Sequence, residues 1–308
     1  MIYQKCLLIR PFQRCLSTQS GVSSRLRPSV AKVWISQIPS IYSNLALEDW
    51  LLQNENFKEN AGLLIYRDLP TVVIGRFQNP WLEASMSYLI RNGIEIARRR
   101  SGGGTVYHDP DNLNLTFFSA TPQHERDSNL QFLVDLIQTQ LGIQCSISKR
   151  SDILIGLKKI SGSAERRTQK QSYHHCTLLI NCNRDRMRKA LTSSLNPEDV
   201  ETNASPSVRA DSVGSLHDVN PFIRNDEVVQ EVWKTFIRPY PTSDVTYVTT
   251  NDYDKYPGLK YMETEFRSWN WIFGQTPKFR FRIKDNILTV EKGIVTDIEE
   301  SLKSEDDP

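Results

Sequence analysis

The stretch RRRSGGGTVYHDPDNLNLTFF, Arg98–Phe118, constrains this chain more than any other. Adjacent glycines lose more backbone entropy on folding than other residues do. Here they follow three arginines and lead into NLNLTFF, whose polar–apolar alternation reads as a half-buried strand. N–H groups in a glycine turn form nests that bind anions. Arginines beside them add bidentate bonds to phosphate or carboxylate oxygens. Arg98–Gly104 therefore reads as an anion-binding loop, with a tight hairpin carrying exposed arginines as the alternative. It is not a Walker A motif, because no Gly-Lys-Ser/Thr closes it. It is not a dinucleotide fingerprint, because the G-x-G-x-x-G spacing is absent.

A second stretch, RSDILIGLKKISGSAERR, sets Lys158 and Lys159 before a small-residue turn, Ser161–Ala164. A lysine on a strand beside such a turn can neutralise a phosphate as a compact point charge; a solvated hairpin with ordinary lysines is the plainer reading. A third, YHHCTLLIN, suggests zinc through His174, His175, Cys176 and Cys182. Neighbours on a strand point to opposite faces, and no C-x-x-C pair supplies further ligands, so no metal site is expected.

The rest of the chain alternates strand and helix signals. Val33–Ile38 reads as a strand, Ser40 as the cap of a helix to Asn54, and 63–68 and 71–75 as strand, turn, strand. A helix is expected from Pro80 to about Arg91, then a strand at IEIARR. Helices follow at 128–141, 185–191 and 227–237, with short strands at IQCSI, DILIG and HHCTLLI. Residues 197–215 read as a long loop. After Asn251 a helix ends in a Trp-rich corner, two strands cover 279–283 and 287–291, and the acidic end frays. The sum is an α/β chain with a mixed sheet, then a small α+β appendage.

With 308 residues and a formal charge of +2, the chain is a globular protein rather than a dedicated nucleic-acid binder. No window approaches the roughly 18 apolar residues of a membrane span, so no membrane is expected. Five irregularly spaced cysteines suit a reducing compartment. Residues 1–30 are basic, contain serines and lack any carboxylate, the composition of a mitochondrial transit peptide.

Together, RRSGGGTVYHD (Arg99–Asp109), NLTF, KISGSA (Lys159–Ala164) and HHCTLL (His174–Leu179) resemble the lipoate–protein ligase A family. VVIGRFQNPW and SWNWIFGQTPKF support the likeness, which runs from about Val33 to Glu291. The triple arginine with TVYHD, and HHC, look most like its mitochondrial lipoyltransferase branch. The resemblance implies a biotin/lipoate–protein ligase-type catalytic domain over 31–250 and a small, abbreviated C-terminal α+β domain over 251–308. It implies transfer of a lipoyl or octanoyl group, from lipoyl-AMP or the lipoylated glycine-cleavage H protein, to a lysine on lipoyl domains of 2-oxo acid dehydrogenases in the mitochondrial matrix. The alternatives are an ATP- and magnesium-dependent ligase of free lipoate and, in another class, a non-catalytic lipoyl-domain adaptor. By motif position Arg99, Gly104, Thr105, Val106 and Tyr107 line the lipoyl-adenylate site. Lys159 bonds the acyl carbonyl and the phosphate. Arg150, Asp152 and Thr177 flank the ligand, with Asp152 orienting or deprotonating the acceptor amine, and Ala204 and Pro206 lie in an adenylate-binding loop.

Overall fold

The run LLIY at 63–66 is apolar at every position, which suits a strand buried on both faces. The computed structural model describes residues 28–300 apart from 194 and 211, and makes this run part of a central strand. The transit-peptide reading therefore falls largely, and the frayed acidic end wholly, outside the described residues.

The first half of the chain builds the middle of the molecule. β1 (Val30–Ser36) begins earlier than the expected Val33, and α1 (Ile41–Asn54) follows it. β2 (Asn60–Tyr66) and β3 (Thr71–Ile74) form as expected around Leu69-Pro70, but they enter different sheets rather than pairing. The helix expected from Pro80 to Arg91 is broken at Ala84 and Ser85 into α2 (Pro80–Glu83) and α3 (Met86–Arg91). The Asn79 side chain caps α2 by accepting from the Trp81 N–H. β4 (Glu95–Arg98) and β5 (Val106–His108) flank β3 in a small sheet of order β4-β3-β5, so the glycine turn crosses over β3. β6 (Asn112–Ala120) then returns to the main sheet.

α4 (Arg126–Gln140) leads to a short sheet of β7 (Ser146–Ile147), β8 (Ile153–Ile155) and β9 (Lys158–Lys159). The Ser161–Ala164 segment is a strand and not a turn. It opens β10 (Ser161–Arg167), whose small residues pair antiparallel with β11 (Gln171–Leu179). The expectation failed because small side chains were read as turn formers, whereas here they leave space in front of the sheet. Next come α5 (Arg184–Ala190), β12 (Val200–Thr202), α6 (Asn225–Ile237), and β13 (Thr242–Val248), a strand the sequence did not announce. α7 (Leu259–Arg267) and α8 (Trp269–Ile272) form the Trp-rich corner. β14 (Phe279–Ile283) and β15 (Asn286–Glu291) appear as expected, and β16 (Ile294–Glu300) adds a third strand.

The six-stranded main sheet has the order β10-β11-β6-β2-β1-β13, with β1 parallel to both neighbours and the other pairs antiparallel. Alternation along β2 sends Leu63 and Ile65 into a core under α4 and α6, and Leu64 and Tyr66 into a second core under α1, α7 and α8. Each such buried side chain contributes about 1.5–3 kcal/mol. The smaller sheet β12-β14-β15-β16 is the appendage, while α7 and α8 pack into the second core through Leu259, Phe266, Trp271 and Ile272. Among the described residues no helix is long and apolar enough to cross a membrane.

Candidate functional site

The three arginines of the opening stretch divide their work. Arg98 is fully buried, and its guanidinium donates to the carbonyls of Ile272, Gly75, Arg76 and Gln78 and to Thr276 Oγ1. It ties the Trp-rich corner to the turn before α2. Arg100 pairs with Asp49 and Glu265, both at 2.7 Å, and lies 4.4 Å from the Trp271 ring centroid. Arg99 turns the other way and lines a narrow cavity. Its guanidinium is occupied by the loop, donating to Ser101 Oγ and to the carbonyls of Val73, Gly102 and Gly104. Burial pulls Arg98 and Arg99 each down to about 10, with Arg76 adding to the effect on Arg98, so both remain charged at neutral pH.

Two of the glycines answer to the fold itself. Gly103 has φ +85°, a left-handed conformation suited to glycine. A Cβ on Gly104 would stand 3.1 Å from Ser207 Oγ. That hydroxyl accepts from the Thr105 N–H at 2.7 Å, so one donor of the expected anion nest is already engaged.

Two cavities meet at this loop. The narrow one, of about 40 Å³, is walled by Leu45, Tyr66, Val73 and Ala164. The wider one, of about 470 Å³, holds Lys159 with Arg184, Arg188 and Arg209 on its walls. Val106, Gly162 and Thr177 line both. Lys159 Nζ lies 2.8 Å from Asp152 Oδ1. Its backbone bonds to Ser212 and Gly214, which hold the end of the 203–215 loop against β9. Lys158 and Arg184 share one oxygen of Asp218, at 3.1 and 2.8 Å.

Most expected site residues come together here. Arg99 and Gly104 border the narrow cavity, Thr105, Tyr107 and Lys159 the wide one, and Val106 and Thr177 both. Arg150 is exposed on the turn before β8, and Ala204 and Pro206 lie outside both cavities. Their neighbours Val208 and Arg209 line the wide cavity instead.

Beneath the loop lies a buried network the sequence reading did not single out. Glu48 Oε2 faces His175 Nδ1 at 2.9 Å, and His175 Nε2 faces Ser101 Oγ at 2.9 Å. Burial opposes ionisation of Glu48, but His175, Thr116 and Tyr173 outweigh it and hold the carboxyl below its usual range. The available signal was a carboxylate inside the apolar run LALEDWLL. His174 points away to Ser163 Oγ at 2.8 Å, and burial, aided by neighbouring His175, His124 and Arg126, pushes its imidazole down to about 3. Among the described residues no group of three or more His, Cys, Asp and Glu is placed to hold a metal ion.

Residues 40–237 match the family of the lipoyl protein ligase A/B catalytic domain. The lipoyl amidotransferase LIPT1, mitochondrial, of Homo sapiens is 36% identical over 254 residues, covering 80% of this chain and 66% of its own length. The chain thus spans just under two thirds of that relative. The lipoate-protein ligase A of Bdellovibrio bacteriovorus is 36% identical over 264 residues, covering 84% of this chain and 76% of its own. The crystal structure of P. falciparum LipL1 with lipoate superimposes with a TM-score of 0.70 at 25% identity, covering 87% of this chain and 83% of that one. In sequence, in fold and in the motifs that wall its paired cavities, this chain belongs to the lipoyl protein ligase A/B catalytic-domain family.

Proposed function

We propose that this protein is a lipoyltransferase, moving a lipoyl or octanoyl group from an acyl adenylate to a lysine on a lipoyl domain. The observation that carries the reading is the junction of the two cavities along Val106, Gly162 and Thr177. A narrow apolar slot opening into a wide basic chamber suits an apolar chain joined to an anionic head.

In this reading the acyl chain lies in the slot and the AMP moiety in the chamber. Lys159 donates to the acyl carbonyl oxygen and the α-phosphate. The unprotonated ε-amine of the acceptor lysine attacks the carbonyl carbon. The C–N bond forms, the bond from carbon to phosphate oxygen breaks, AMP leaves, and the amine proton passes to solvent. Lys159 thus places positive charge where negative charge builds. Asp152 holds that lysine in position and orients the incoming amine, and Arg150, exposed beside it, serves the rim. Thr105 and Tyr107, with Val208 and Arg209 of the loop that follows Ala204 and Pro206, border the adenylate.

Relatives named mitochondrial and the acid-free N-terminus support a matrix location. The acceptors are lipoyl domains of 2-oxo acid dehydrogenases, and lipoylated H protein is a second donor. The test supplies purified protein and an unmodified lipoyl domain with lipoyl-AMP, lipoylated H protein, or lipoate with ATP and magnesium. Intact-mass spectrometry reads the acceptor. Lipoyl-AMP is expected to give a lipoylated domain, and absence of transfer from every donor overturns the reading. Pyrophosphate release with free lipoate would move it to the ligase alternative.

A further inference from the structure

The 203–215 segment is held at two places. Its far end bonds to the backbone of Lys159 through Ser212 and Gly214. Its near end converges on one buried carboxylate, Glu83 of α2, which is 5% exposed. Glu83 Oε1 accepts from the Ser207 N–H at 2.9 Å, and Oε2 accepts from Ser207 Oγ and from Arg209 Nη2, the latter at 2.9 Å. Arg209 also donates to the carbonyls of Glu83 at 3.0 Å and Thr105 at 3.2 Å. Gln78 completes the set: its Nε2 donates to Ser207 Oγ, and its Oε1 accepts from Thr105 Oγ1 and the Gly75 N–H.

These contacts have a common geometry. Ser207 sits against Gly104, Arg209 lines the chamber that holds Lys159, and both are fixed by Glu83 from outside the two cavities. A carboxylate that accepts three hydrogen bonds from a loop fixes that loop's position more firmly than surface pairing would. We propose that Glu83 is a positioning residue for acyl transfer: through Ser207 and Arg209 it sets the wall of the chamber that receives the adenylate, and it reaches the acyl slot only through the contact of Ser207 with Gly104. The proposal deepens the acyl-transfer reading and rests on it.

Two measurements on the full chain test it, with Glu83→Gln keeping the shape and Arg209→Ala removing the clamp's cation, which also stands in the chamber wall. The first is calorimetric binding of a non-reactive lipoyl sulfamoyl-adenosine, and of free lipoate as a slot probe. Each variant is expected to weaken the analogue by about tenfold, the loss of a charge-assisted bond. Lipoate binding is expected to stay within about twofold, and the double variant to be no worse than the poorer single one, as coupled partners require. Unchanged analogue affinity, equal loss of lipoate, or fully additive effects overturn the proposal. The second is trypsin cleavage after Arg209 in unliganded protein, which needs no ligand. Glu83→Gln is expected to speed it by about fivefold or more as the held loop opens, and an unchanged rate overturns the clamp. A wild-type protein that binds neither probe overturns the acyl-transfer reading instead, whatever the trypsin result.

Discussion

Lys159 and Asp152 face each other across the β8–β9 hairpin at 2.8 Å, with 25% and 14% of their side chains exposed. The lysine is thus aimed by its counter-ion rather than free to roam, and its charge is partly shielded from water. Replacing it with alanine removes the cation and leaves a carboxylate beside an anionic ligand. Lys159→Ala is expected to lower single-turnover transfer from lipoyl-AMP by about 10²–10³ or more, with the melting curve little changed. Lys159→Arg is expected to restore little, because a planar fork does not replace a point charge. Normal turnover in Lys159→Ala would sink the assignment.

Asp152→Asn keeps the shape and removes the charge. Lys159 then loses its aim and the acceptor amine loses an orienting partner. Transfer is expected to fall by about 10–100-fold across the pH range, the cost of losing the charge that positions both amines. Transfer from preformed lipoyl-AMP that matches wild type at every pH would exclude Asp152 from the step.

Arg98 is a stability residue. Its five acceptors belong to two parts of the chain, the corner at Ile272 and Thr276 and the turn at Gly75, Arg76 and Gln78. Arg98→Met leaves those buried oxygens without their donor, at a cost of about 3 kcal/mol or more. The urea midpoint measures it. A variant as stable as wild type would show that the corner is held by its apolar contacts alone.

The buried His174 sets an acid limit. An unfolded histidine titrates near its ordinary value of about 6.5, whereas in the folded chain burial holds it at about 3. Between those values the unfolded state binds a proton that the folded state refuses. The contribution to stability is complete above the upper value and declines as pH falls through the window, by about 1.4 kcal/mol per pH unit. Glu48 adds a second loss at lower pH, since its carboxyl is held below its model-peptide range and its contribution is full only above that range. Urea titrations at descending pH are expected to show the decline, and His174→Phe to flatten its upper part. A wild-type midpoint that does not move between neutrality and mild acid would count against it.

Much of the central sheet was legible because β2 and β6 carry continuous or alternating apolar residues, and the glycine turn was legible because no other tripeptide resembles it. What escaped did so for physical reasons. β13 is an edge strand, mostly polar and half exposed, so it shows no alternation, and its pairing with β1 is decided across the whole chain. Ser161–Ala164 looked like a turn because small residues serve close approach in strands as well as in turns. The motif residues Lys159 and Thr177 line the cavities. The buried carboxylates around them, Glu48 against His175 and Glu83 against Ser207 and Arg209, gain their meaning only from partners distant in sequence. The arginine triplet, read in sequence as one anion-binding unit, divides in the structure, where Arg98 reaches the Ile272 carbonyl and Arg100 reaches Asp49 and Glu265.

The parallel register of β1 has a consequence for how the molecule comes into being. One edge of that strand is matched by residues 60–65 and the other by residues 242–248. During synthesis the first edge is closed early, while the second stays an open template until a partner roughly two hundred residues downstream has emerged. The newborn protein therefore carries an adhesive flank through most of its translation. A ribosome stalled before residue 242 holds a chain unable to finish its own sheet, whatever the state of its loops and lysines.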